Sequence, residues 1–191
     1  MRYNSTVRLG EPLPIMAEAL HNVKVHNAEI DAFLGAHPEY EPVVSALLAL
    51  LPQKRYMSVM VMAETIRVGN RTCVDSQWHV DGRLSEGNVD HYALVCFGEG
   101  DVRTMFYRDA IDAEPIDKPD SINARLAAFK TILGHDLQDE NFGYVVPNGV
   151  PVAYTSSDFH KGRVAQRESR RVLVRVTASD VIRPRKIKRI G

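Results

Sequence analysis

The stretch Ser76-Gln77-Trp78-His79-Val80-Asp81-Gly82 sets an imidazole and a carboxylate two residues apart. On a β-strand, side chains two apart share a face, so His79 and Asp81 can aim a nitrogen and a hard oxygen donor at one point. Joined by a second histidine, they make the two-histidine, one-carboxylate triad that suits iron(II) and leaves coordination positions open. The spacing alone decides nothing. With seven histidines and thirteen aspartates in 191 residues, chance supplies about half a match to His-x-Asp, and a surface or hydrogen-bonded pair is the plainer alternative.

A third ligand is available late in the chain. His160 follows the run VPVAYT (150–155) in Ser157-Asp158-Phe159-His160, where a loop histidine bonded to backbone is again the alternative. Behind it, RRVLVRVTA (170–178) alternates Arg171, Leu173 and Arg175 with Val172, Val174 and Val176. A guanidinium pointing inward from a strand needs an anionic partner, and its planar fork matches a carboxylate. The opposite orientation, with the arginines on a solvated face and the valines inside, satisfies the alternation equally well. His21, His26, His37, His91 and His135 read as structural or exposed. Asp90-His91 is a rival pair, but adjacent strand residues point to opposite faces.

The elements that must position these residues change character along the chain. Residues 15–34 and 39–51 space their apolar side chains three and four apart and predict two amphipathic helices, with Pro42 tolerated in the first turn of the second. Strands are predicted over 54–68, 72–80, 91–97, 102–107, 142–146, 150–155 and 170–178, with a hairpin open to the pair 91–97 and 102–107. A polar insertion at 112–120 leads into a helix over 121–133, N-capped near Asp120 or Ser121 and stopped by Gly134. Many short strands between turn signals indicate an antiparallel sandwich or barrel with the front helices covering one sheet. The expected organisation is a single domain, 1–191: helical support over 1–53, a β core over 54–180 with a helical insertion near 108–141, and a basic tail, 181–191.

Composition fits that picture. A hydrophobic fraction of 45% with 25% charged residues belongs to a globular protein rather than a disordered one. The formal net charge is zero, so no global field recruits nucleic acid or an anionic membrane. Basic residues nevertheless concentrate after His160 and end in RPRKIKRIG, which reads as a solvated tail or as a phosphate-binding segment. Cys73 and Cys96 read as small buried side chains in a reducing compartment. With no signal-like segment and no spanning run, an intracellular (cytoplasmic) location and no membrane partner are expected.

The order WHVDG, a strand, then His160, Arg171 and Arg175 in the spacing H-x₁₀-R-x₃-R resembles the 2-oxoglutarate- and iron(II)-dependent oxygenase superfamily, in particular small bacterial and phage members with a WHxDG box. The resemblance spans roughly residues 54–178. It implies a mainly β fold with helices, a double-stranded β-helix (jelly roll, cupin-like) with N-terminal helices packed on one sheet. It also implies that His79, Asp81 and His160 bind iron(II), that Arg171 binds the distal carboxylate of 2-oxoglutarate, and that Arg175 supports that carboxylate or sits nearby. Arg170 takes the role if the register slips by one. Thr104 and Tyr92 become candidates for hydrogen bonds to the cosubstrate, with packing or surface roles as their alternative. The implied reaction consumes O₂ and 2-oxoglutarate, releases succinate and CO₂, and hydroxylates a substrate. Halogenating relatives lack the carboxylate, so Asp81 favours hydroxylation or a related oxidation. The substrate, whether a small molecule, a protein or a nucleobase, has no motif. Two other classes stay open: a nucleic-acid-binding protein using the basic C-terminal segment, and a cupin-like metal-binding protein without oxygenase activity.

Overall fold

The computed structural model of the chain describes residues 1–15, 17–70, 77–81, 89–98, 102–114 and 121–185. In chain order the strands are β1 (Arg2–Tyr3), β2 (Arg8–Leu9), β3 (Lys24–Glu29), β4 (Tyr56–Ile66), β5 (His91–Gly98), β6 (Met105–Tyr107), β7 (Ile111–Asp112), β8 (Gly143–Val145), β9 (Val152–Thr155), β10 (His160–Lys161) and β11 (Ser169–Ser179). The α-helices are α1 (Ile30–Ala36), α2 (Glu41–Leu48) and α3 (Ile122–Leu133). The molecule is mainly β. Among the described residues no helix is long and apolar enough to cross a membrane.

Two sheets carry the architecture. A six-stranded sheet runs β2-β9-β5-β11-β4-β3, and a three-stranded sheet runs β10-β6-β8. β11 is the axis of the larger one, pairing antiparallel with β4 along its whole length and with β5 from Arg171 to Ala178. Its alternation is used on both faces. Val172, Val174 and Val176 join Val43, Val44 and Leu47 of α2 and Phe33 of α1 in one buried cluster, each such side chain contributing roughly 1.5–3 kcal/mol by leaving water. Leu173, Arg171 and Arg175 point the other way, towards a cavity. The solvated-face alternative for the arginines is thereby excluded: Arg171 is 3% exposed.

α3 covers the smaller sheet, packing Phe129 and Leu133 with Met105, Tyr107, Trp78 and Phe159. It starts at Ser121 in an extended conformation and stops at Gly134, whose φ of 71° closes the helix in the left-handed region. Ser121 makes no side-chain capping bond, and Asp120 lies outside the described residues.

Three expectations need correction. The predicted helix over 15–34 is a 3₁₀ turn at Ala17–Ala19, then β3, then α1. β3 pairs with β4, and its register shifts between Val25 and Ala28 around Asn27, which has a φ of 49°. That bulge spaces Val23, Val25, Ala28 and Ile30 by two, three and two residues, which breaks the strict alternation that marks a strand. The second correction is the hairpin: β5 and β6 lie in different sheets. β5 ends at Gly98, opposite Arg171, where a Cβ would stand 2.7 Å from the Arg170 carbonyl oxygen. Third, the front of the chain is only partly helical support, because β1, β2 and β3 lie within residues 1–53. The predicted strand over 72–80 is described from Gln77 onward, and there His79 makes an isolated bridge. Cys73, Gly82 and the basic residues 186–191 lie outside the described residues.

Candidate metal centre

His79 and His160 are held opposite each other by the backbone. His79 N–H donates to the His160 carbonyl at 3.0 Å and His160 N–H to the His79 carbonyl at 2.9 Å. Directly opposed residues of an antiparallel pair share a face, and the two imidazole centroids stand 4.5 Å apart. Asp81, two residues beyond His79, projects to the same side, while Trp78 and Val80 pack away from it with Tyr107 and Phe159. Trp78 is fully buried and donates its Nε1–H to the Asp139 carbonyl at 2.7 Å. Gly143 makes room for the indole, since a Cβ there would lie 2.4 Å from it.

Donor atoms of His79, Asp81 and His160 lie within 4.8 Å of one another. Each imidazole is oriented by a backbone carbonyl: His79 Nδ1 bonds Gln77 O at 2.8 Å and His160 Nδ1 bonds Asp158 O at 3.1 Å. With Nδ1 donating, Nε2 carries the lone pair, the arrangement metal-ligating histidines adopt. Two oriented imidazoles and one carboxylate fit a divalent transition metal, iron(II) included.

The loop that carries His160 is tied to the chain start. The buried Asp158 carboxylate accepts bonds from Thr155 N–H at 2.7 Å, Thr6 N–H at 3.2 Å and the hydroxyls of both threonines. Phe159 N–H donates to Asn4 Oδ1 at 2.7 Å. Lys161, almost wholly buried on the far side from His160, donates to the Gln138 carbonyl at 2.8 Å and lies over the Trp78 ring.

Burial pushes the Asp81 carboxyl up, but the Arg175 guanidinium beside it outweighs burial and holds it well below the usual carboxylate range. Asp81 Oδ2 accepts from Arg175 Nη1 at 2.5 Å and from Tyr154 Oη at 3.0 Å, and it lies 3.3 Å from His160 Nε2. Burial and the neighbouring Asp81 charge drive the Tyr154 phenol well above its ordinary value, so it stays a neutral donor.

These groups open on a cavity of about 270 Å³. Its walls follow from strand register: Met62 lies opposite Leu173, and both Met60 and Leu94 lie opposite Arg175. Thr104, Tyr154, Gly162, Arg171, Arg175 and His26 complete the lining. Of the residues singled out in the sequence, His79, Asp81, His160, Thr104, Arg171 and Arg175 share this cavity. Tyr92 does not line it; its ring lies 5.2 Å from the Arg175 guanidinium and stacks on Tyr154. Arg170 is on the opposite face of β11, donating to the Leu20 carbonyl and, at 3.2 Å, to Asn22 Oδ1. Tyr154 and His26 were missed. Tyr154 sits in an ordinary apolar strand run, and His26 falls within the helix predicted over 15–34.

No family model matches the chain, and no curated protein matches it. Among solved structures it is similar to EvdO2 from Micromonospora carbonacea var. aurantiaca, with a TM-score of 0.44, 13% identity, and 90% of this chain and 72% of that chain covered. A second structure, the same protein complexed with 2-oxoglutarate, gives a TM-score of 0.43 at the same identity and coverage. At this level of likeness the function rests on the site itself.

Proposed function

We propose that this chain is a 2-oxoglutarate- and iron(II)-dependent dioxygenase, built on a double-stranded β-helix and hydroxylating a substrate in the cavity between its two sheets. The carrying observation is the convergence of His79, Asp81 and His160 with Arg171 in one cavity. A metal triad alone fits many proteins. A buried arginine on the wall of the same cavity adds a fork for a carboxylate, which a metal-binding protein without a cosubstrate does not need.

His79 and His160 would hold iron(II) through Nε2, and Asp81 through its carboxylate. Bound there, iron(II) would activate O₂, the oxidant, with 2-oxoglutarate supplying two electrons as it leaves as succinate and CO₂ and the substrate C–H bond supplying the other two as it becomes C–OH. The chain's own contribution is placement. The carbonyls of Gln77 and Asp158 fix the imidazoles, and the opposed backbone bonds of His79 and His160 fix their separation. Arg171 anchors the cosubstrate's distal carboxylate. Met60, Met62, Leu94 and Leu173 exclude water and leave an apolar wall for the substrate.

Anaerobic titration with iron(II) and 2-oxoglutarate tests this reading. A weak visible charge-transfer band of an iron–oxoacid chelate is expected, lost in His79→Ala, followed by succinate when O₂ is admitted. A folded, iron-loaded protein that gives no band and binds no 2-oxoglutarate would refute it.

A further inference from the structure

One oxygen of Asp81 faces two claims. Oδ2 is the atom 3.3 Å from Nε2 of His160, whose imidazole is one of the three converging donor groups. The same Oδ2 already accepts from Arg175 and from Tyr154. A carboxylate oxygen so engaged has little lone-pair capacity left for a divalent ion. Arg175 is itself incompletely satisfied: its Nε is buried and makes no hydrogen bond. Its guanidinium also has a second support, because it rests 5.2 Å from the Tyr92 ring centroid, a cation–π distance that does not depend on Asp81.

We propose that Arg175 and a divalent metal ion are alternative partners of Asp81. The ion displaces the guanidinium, which stays in the cavity on Tyr92 and turns its donors to an anionic ligand. This rests on the metal centre proposed above and adds an order to it. A protonated arginine and a metal ion on one oxygen repel each other in a site that solvent screens poorly. Once displaced, Arg175 joins Arg171, two positions along the same face of β11, so two cations meet a dicarboxylate. Metal and anion then bind with positive coupling, and the coupling is reciprocal. The competing view keeps Arg175 on Asp81 throughout as a steadying outer partner. The two views predict opposite signs: removing a competitor tightens metal binding, whereas removing an outer partner weakens it by roughly 10–100-fold.

Calorimetric titration of Zn²⁺ into chelator-stripped protein reads that sign. Arg175→Gln is expected to bind Zn²⁺ at least about tenfold more tightly than the unaltered chain. The variant leaves Asp81 without its counter-ion and risks unfolding when stripped, so the unaltered chain is also followed by ¹⁵N NMR. The Arg175 Nε–H resonance, assigned by its absence from Arg175→Lys, is expected to shift on addition of Zn²⁺. Equal or weaker binding by Arg175→Gln, or an Nε–H resonance that does not move, overturns the exchange. Failure of the metal centre itself looks different: no Zn²⁺ binding by the unaltered chain, or binding that survives His79→Ala.

Discussion

On one face of β11, Val172, Val174 and Val176 pack beneath α1 and α2; on the other, Arg171, Leu173 and Arg175 face the cavity of His79, Asp81 and His160. Both faces are buried, yet their burial has opposite energetics. The valine face gains by losing water and makes no demand on direction. The arginine face loses hydration and recovers it only through partners placed for it. Arg175 shows how far this goes. Burial pulls its pKa down, but Asp81, Tyr154 and Tyr92 raise it further, so it stays charged. One strand thus separates stability from chemistry by the parity of residue number.

The largest effect that breaks this contrast is on the apolar side. Leu47 of α2 is fully buried against the valine face, so Leu47→Ala is expected to cost roughly 2–5 kcal/mol in denaturant unfolding. Metal and 2-oxoglutarate affinities of the folded variant should be unchanged. A variant that unfolds no more easily, or that loses ligand binding while still folded, would show that the two faces are not separable.

Arg171→Met tests the other side. Charge-assisted bonds to a carboxylate are worth roughly 1.5–3 kcal/mol, so the Kd for 2-oxoglutarate should rise by about 10–100-fold while Zn²⁺ binding stays. A Kd that does not move would show that Arg171 does not hold the 2-oxoglutarate carboxylate.

The same contrast explains what could be read in advance. Parity made legible which residues share a face, His79 with Asp81 and Arg171 with Arg175, but not which face of β11 turns to the cavity; the strands β4, β5, β9 and β11 lie close to their expected bounds. Features that depend on distant partners were not legible. β3 exists because β4 offers it an edge, and the bulge at Asn27 breaks the alternation that would have announced it. The helix predicted over 15–34 hides the strand that carries His26 to the cavity wall. Tyr154 has the sequence setting of a core residue, and only the fold brings its hydroxyl to Asp81. The passage of the chain from one sheet to the other after Gly98 likewise has no local mark, since β5 and β6 each suit a hairpin strand.

The smallest expected effect belongs to Arg170, one residue from Arg171 and on the valine side of the strand. Its side chain bonds the Leu20 carbonyl and Asn22 Oδ1, tying the segment before β3 to the sheet. Arg170→Ala should therefore cost roughly 0.5–1.5 kcal/mol per lost bond in unfolding experiments and leave the Kd for 2-oxoglutarate untouched. Adjacent arginines would then separate, with 2-oxoglutarate binding sensitive to Arg171 and insensitive to Arg170. The reverse result, with 2-oxoglutarate binding lost in Arg170→Ala and retained in Arg171→Met, would mean that β11 pairs one residue out of register. Every side chain of the strand would then change faces, and the valines would line the cavity.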